Sequence, residues 1–170
     1  KKIENDYVKT WAEFEFIKGS PEAIAFLRKS CKYLIIVTNQ RGIARGKMSI
    51  KDLKLIHDKM LNELNKKGSS VDGVYSCPEE EGSNCRKPNI GMAMEAKADF
   101  SDIDFSNSLM IGDSRSDLEF GKNLGMKTVW ISDVDKELPS ELFDLKTGSL
   151  FDLVQNWPKY KILSDENCAE

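Results

Sequence analysis

The chain has 170 residues, 40% of them hydrophobic and 31% charged, which is enough apolar material for one globular core and excludes a disordered chain. Its 25 Lys and Arg against 28 Asp and Glu leave a net charge of -3, without the basic face that nonspecific nucleic-acid binding requires. No apolar run approaches the roughly 18 to 20 residues of a membrane span and no charged-then-apolar leader is read, so the expected setting is a reducing cytoplasm, without nucleic-acid or membrane partners.

Residues 1–18 carry Tyr7, Val8, Trp11, Phe14, Phe16 and Ile17 among charges without a sustained period, which reads as an ordered loop packing aromatics on the domain. Ser20-Pro21-Glu22 then predicts a helix capped by Ser20, with Ala23, Ile24, Phe26 and Leu27 inward. Tyr33-Leu34-Ile35-Ile36-Val37 is a β-branched run that predicts a buried strand with the polar tip Thr38-Asn39-Gln40. The basic, glycine-rich stretch Arg41 to Lys47 follows as a loop able to meet an anion. From Ser49, with Asp52 three residues on, a long amphipathic helix runs to about Lys67 on Leu53, Ile56, Met60 and Leu64, and Gly68 ends it. His57 lies beside that stripe and reads as a boundary packing residue.

Asp72 to Ser76 predicts a third strand, leading through the polar loop Cys77 to Cys85 into Arg86-Lys87-Pro88. A helix over 91–98 buries Met92, Ala96 and Phe100. Leu109 to Ile111, closed by Gly112, predicts a buried strand, followed by a helix over 116–123 stopped at Gly125. Lys127 to Ile131 is a fifth apolar run, a short helix is expected over 149–156, and 164–170 reads as a frayed tail. Alternating strands and helices predict a single α/β domain over 1–170 with a doubly wound, mainly parallel sheet and helices on both faces. The four cysteines, Cys31, Cys77, Cys85 and Cys168, are too scattered to predict a disulfide scaffold.

In such a sheet the carboxyl ends of the strands share one edge, and ligands bind there. That edge would carry Thr38, the Arg86-Lys87 pair and the acidic Asp113 and Asp117. Together they describe a phosphate site: Thr38 and Lys87 on phosphoryl oxygens, and Asp113 with Asp117 holding Mg²⁺. Asn39, Gln40, Arg45, Arg86 and Ser114 are candidates for contact with the rest of a small phosphorylated metabolite. A plainer reading of the acidic pair is that Asp113 caps the following helix and Asp117 is a first-turn carboxylate. Arg41, Arg45 and Lys47 likewise read equally well as an ordinary solvated loop.

The ordered set Val37-Thr38-Asn39-Gln40-Arg41-Gly42-Ile43-Ala44-Arg45-Gly46, Cys85-Arg86-Lys87-Pro88 and Gly112-Asp113-Ser114-Arg115-Ser116-Asp117 resembles the haloacid dehalogenase (HAD) superfamily. The wording is similar to its branch of D-glycero-D-manno-heptose 1,7-bisphosphate phosphatases and histidinol-phosphate phosphatases, over about residues 5–135. The resemblance implies a Mg²⁺-dependent phosphomonoesterase working through an aspartyl-phosphate, a HAD-like Rossmannoid fold without a separate cap domain, and a monomer or small homo-oligomer. A heptose bisphosphate is the first expected substrate and histidinol phosphate the second.

Two departures accompany it. The family's first motif, an apolar strand followed by Asp-x-Asp, does not occur in these 170 residues. Because that strand is central in the family fold, the expectation is that an N-terminal segment carrying it precedes Lys1; the rival is a noncatalytic phosphate-binding domain. The family's zinc loop of three Cys and one His is represented only by Cys77 and Cys85, so zinc is not expected and two thiols are. A phospho-accepting receiver domain fits less well, because its acidic pair would come ahead of Thr and Lys.

Overall fold

The computed structural model describes residues 6–134 and 137–160, and it divides between Arg86 and Lys87 into two compact units. The expected frayed tail at 164–170 lies outside the described residues.

In the first unit, helix α1 (Ser20–Ser30) starts with Pro21 in its first turn but is not capped by the Ser20 side chain. Gly19, in the left-handed region at φ 77°, precedes it instead. Its buried face is Pro21, Ala23 and Leu27, while Phe26 lies at the exposed edge, one position off the stripe. Strand β1 (Ile35–Asn39) pairs in parallel with β2 (Gly73–Cys77), Thr38 opposite Ser76 and Asn39 opposite Cys77. All five β1 residues are half-buried rather than buried, because each strand of a two-stranded sheet is enclosed on one edge only. Between them runs α2 (Ile50–Lys66), started by a reciprocal cap: the Ser49 amide donates to Asp52 Oδ2 at 2.9 Å and the Asp52 amide to Ser49 Oγ at 3.2 Å.

Leu53, Ile56 and Leu64 are the buried face of α2, with Met60 and His57 at its margin. Val8, Trp11, Phe14 and Ile43 pack against Met48, Leu53 and Ile56, and the Trp11 and Phe14 rings stack at 5.0 Å. Trp11 and Phe14, half-buried, therefore pack on the core as expected, whereas Ile17 is exposed. Burial lowers the His57 pKa, opposed by the charge of Asp58, as befits a packing residue.

In the second unit, α3 (Gly91–Asp99) buries Met92, Ala93 and Ala96, with Phe100 half-buried just past its end. Strands β3 (Leu109–Gly112), β4 (Lys127–Ile131) and β5 (Leu145–Thr147) form a parallel sheet in that order, Gly112 opposite Trp130. Helix α4 (Arg115–Asn123) lies tightly on it. A side chain at Gly121 would sit 2.6 Å from Thr128 Cγ2 and 2.7 Å from Met110 Cβ, so only glycine permits that approach. Asp144 ties the region to β4, its Oδ2 accepting from the Thr128 amide at 2.7 Å and from Lys122 Nζ at 2.8 Å. The tail adds α5 (Leu150–Gln155), capped by Ser149, and α6 (Trp157–Tyr160).

The α/β class with parallel strands is as the sequence predicts, the described strands being shared between two sheets, one in each unit. No described helix is long and apolar enough to cross a membrane.

Candidate functional site

The carboxyl end of β3 is where the second unit gathers its chemistry. Gly112 closes the strand, Asp113 follows on the surface, and Ser114 rather than Asp113 caps α4. The Ser114 amide and hydroxyl donate to Asp117 Oδ2 at 3.0 and 2.6 Å, and the Asp117 amide donates back to Ser114 Oγ at 3.3 Å. The other Asp117 oxygen, Oδ1, meets Lys87 Nζ at 2.7 Å, with both side chains less than a tenth exposed. Lys87 begins the segment that leads into a cis bond to Pro88, whose carbonyl accepts from Asn123 Nδ2 at 3.1 Å at the end of α4. Two residues predicted for one site, distant in sequence, are thus in contact. Asp117, expected as a second metal ligand, has both oxygens engaged, and Ser114, expected on substrate, has its hydroxyl on Asp117. The first-turn reading of Asp117 holds together with the pairing: it caps the helix and positions the lysine.

Burial pushes the Asp117 carboxyl up, but the charge of Lys87 and the hydrogen bonds from Lys87 and Ser114 outweigh it and hold the group below the ordinary carboxylate range. An acid more ionised when folded than when unfolded stabilises the fold above the unfolded value, and that contribution disappears as pH falls through the lowered native value. Urea denaturation is accordingly expected to show the native protein about 3 kcal/mol more stable than Asp117→Asn at pH 7, with the gap closing below about pH 4. A gap that stays constant down to pH 2 contradicts the buried ion pair.

The same geometry forbids any side chain at Gly112. An added Cβ would lie 2.2 Å from Asp117 Cβ, closer than any real contact. Gly112→Ala is expected to cost about 3 kcal/mol in denaturant unfolding and to push Asp117 off Lys87. A change under about 1 kcal/mol would show that α4 can shift freely.

In the first unit, Thr38 and Asn39 end β1, and Gln40 Nε2 donates to Thr38 Oγ1 at 3.0 Å, so the threonine hydroxyl is left to donate its own proton elsewhere. The loop that follows is fastened to the end of β2, the Gln40 amide on the Cys77 carbonyl at 2.7 Å and the Ala44 amide on that of Pro78 at 3.2 Å. Its arginines are paired. Arg41 Nη1 donates to Glu81 at 2.7 Å, Arg45 Nε to Glu80 at 3.3 Å, and Arg45 Nη1 reaches the Tyr7 hydroxyl at 3.4 Å. A hydrogen bond from Arg41, with the charge of Arg45, lowers the Tyr7 pKa. The Tyr7 ring also covers Gly42, where a Cβ would lie 3.0 Å from it.

Neither Tyr7 nor the Glu79-Glu80-Glu81 run is marked by sequence as belonging with the arginines, since these contacts join residues 35 to 40 apart. Cys77 and Cys85 are joined by a disulfide, which overturns the expectation of two thiols. A separation of eight positions through a polar loop gives no local sign that the sulfurs meet. Arg86, directly after it, has a buried Nη1 without a hydrogen-bond partner among the described residues.

No group of three or more acidic, His or Cys side chains able to hold a metal occurs among the described residues. Magnesium is held by one or two carboxylates together with water and phosphate oxygens, and Asp113 supplies a carboxylate at the strand end where such a cation belongs.

A family model described as HAD-hydrolase-like matches residues 84–141, which contain Arg86, Lys87, Asp113 and Asp117. The D-glycero-alpha-D-manno-heptose-1,7-bisphosphate 7-phosphatase of Campylobacter jejuni is 38% identical over 135 residues, covering 79% of this chain and 78% of that protein. The D-glycero-beta-D-manno-heptose-1,7-bisphosphate 7-phosphatase of Vibrio cholerae is 34% identical over 167 residues, covering 93% and 89%. The crystal structure of the D,D-heptose 1,7-bisphosphate phosphatase of B. bronchiseptica, complexed with magnesium and phosphate, superposes with a TM-score of 0.78 at 28% identity, covering 90% of this chain and 89% of that one. The chain belongs to the heptose-1,7-bisphosphate phosphatase family of HAD-like hydrolases.

Proposed function

We propose that this protein is a Mg²⁺-dependent phosphomonoesterase that removes the 7-phosphate of D-glycero-D-manno-heptose 1,7-bisphosphate. The observation that carries the reading is the buried Lys87–Asp117 pair beside Asp113, within the residues that match the family. Asp117 fixes the position of the Lys87 ammonium, which offsets charge on the phosphoryl group as it transfers. Thr38, its oxygen already accepting from Gln40, donates its hydroxyl proton to a phosphoryl oxygen. Arg86 supplies a planar grip for the substrate, Arg45 a further cation, and Asn39 and Gln40 polar contacts to its hydroxyls. Asp113 would hold Mg²⁺, which when bound draws the dianion toward a nucleophile and stabilises its developing charge. No nucleophile is assigned among these residues.

The test is a comparison of kcat/KM on the full-length native protein with heptose bisphosphate, histidinol phosphate and an aryl phosphate, each with and without magnesium. The bisphosphate is expected to lead the others by at least about a hundredfold, which is what an added charged grip provides. Histidinol phosphate in first place would transfer the assignment to that substrate. Phosphate binding without turnover of any of the three would establish the noncatalytic alternative.

A further inference from the structure

The loop between β2 and Arg86 has a feature that the hydrolytic chemistry does not need. It is closed into a ring by the Cys77–Cys85 disulfide, and it carries Glu80 and Glu81 onto Arg41 and Arg45. The ring has one fixed limb and one that depends on the bond. The fixed limb is Cys77, fully buried at the end of β2, together with Pro78, both of whose carbonyls accept from the Gln40 to Ala44 loop. The far limb turns at Gly82, at φ 91°, and returns through Ser83, whose hydroxyl lies 3.5 and 3.7 Å from the two sulfurs. Glu80 and Glu81 lie between the limbs.

Ion pairs this exposed are weak on their own, since solvent screens them and the long side chains lose freedom on pairing. Closing the ring raises the effective concentration of the carboxylates at the guanidinium groups, which is what keeps weak partners together. We propose that this loop is a reducible clasp: while Cys77 and Cys85 are joined, Glu80 and Glu81 occupy Arg41 and Arg45, and reduction releases the arginines to bind a phosphate monoester or other phosphate dianion.

The step balances with a dithiol as reductant. One of its thiolates attacks a disulfide sulfur and displaces the other as thiolate, giving a mixed disulfide. Its second thiol then closes on the first, leaving two cysteine thiols and an oxidised dithiol, with two electrons and two protons transferred. Chain disulfides that serve in reducing compartments are of this transient kind, whereas permanent ones staple small secreted domains. The released guanidiniums suit the ligand, because their planar forks match phosphate oxygens in pairs.

The test uses the full-length protein, oxidised or reduced with dithiothreitol, and reads the rate at which phenylglyoxal modifies Arg41 and Arg45, located by peptide mass mapping. It does not read turnover, so its outcome is separate from that of the proposed phosphatase reaction. Reduction is expected to speed modification of both arginines at least about threefold, and inorganic phosphate to protect them in the reduced state only. The double change Glu80→Gln with Glu81→Gln is expected to give the reduced-state rate without reduction. Equal rates in both states, protection by phosphate that does not depend on the redox state, or alkylation of both Cys77 and Cys85 in the untreated native protein would overturn the proposal.

Discussion

Replacing Lys87 with alanine is expected to lower kcat of the full-length protein by about a thousandfold and to lower its stability by about 3 kcal/mol. Both losses come from one contact. Lys87 Nζ is 2.7 Å from Asp117 Oδ1 in surroundings that leave each side chain less than a tenth exposed. Removing the ammonium leaves a carboxylate in a place that water reaches poorly, with only Ser114 to satisfy it. For a domain of this size that loss corresponds to a fall in Tm of roughly 6 to 12 °C.

The catalytic loss has a separate origin, the missing positive charge on the transferring phosphoryl group, and the two are separated by a second substitution. Lys87→Ala combined with Asp117→Ala removes the unpaired acid, so part of the stability should return while turnover does not. Stopped assays of phosphate release and a denaturant titration measure the two effects independently. A fall in kcat of less than tenfold in a folded Lys87→Ala protein would take Lys87 off the phosphate.

Asp113→Asn is expected to behave in the opposite way, abolishing magnesium-dependent turnover while leaving the fold almost untouched. Asp113 is exposed and Asp117 is buried, although they are four residues apart on one turn. Substituting a side chain this exposed should change stability by no more than about 0.5 kcal/mol. Its carboxylate charge is nevertheless what a hard cation needs, and an amide oxygen is a weaker ligand for magnesium. Calorimetric titration with MgCl₂ should therefore show at least about a tenfold loss of affinity, with kcat at saturating substrate down by about a thousandfold. Magnesium-dependent activity within tenfold of the native protein would move the metal away from Asp113.

The contrast between the two aspartates shows where the sequence was informative and where it was not. Their spacing after an apolar run closed by Gly112 placed both at a strand end, with both expected on the metal. Which of them faces Lys87 depends on the turn of α4 and on Ser114, a contact with residues far back in the chain that no local pattern carries. Strands β1 to β4 and helices α1 to α5 were legible because their apolar periods are long enough to distinguish. Strand β5, with three residues and a lysine in the middle, has no period to read and exists because β4 offers it a partner. The pairing of Arg41 and Arg45 with the glutamates after Cys77 was hidden for the same reason as the disulfide. It is a product of parallel β1–β2 pairing, which brings two loops together at one end of the sheet.

The measurement that goes furthest toward the central claim is a ³¹P NMR time course of the full-length protein with D-glycero-D-manno-heptose 1,7-bisphosphate, begun without divalent metal and continued after magnesium is added. The account predicts no change before the addition; afterwards the 7-phosphate resonance should be replaced by inorganic phosphate while the 1-phosphate resonance persists. Loss of the 1-phosphate first, or release at the same rate without magnesium, would contradict it.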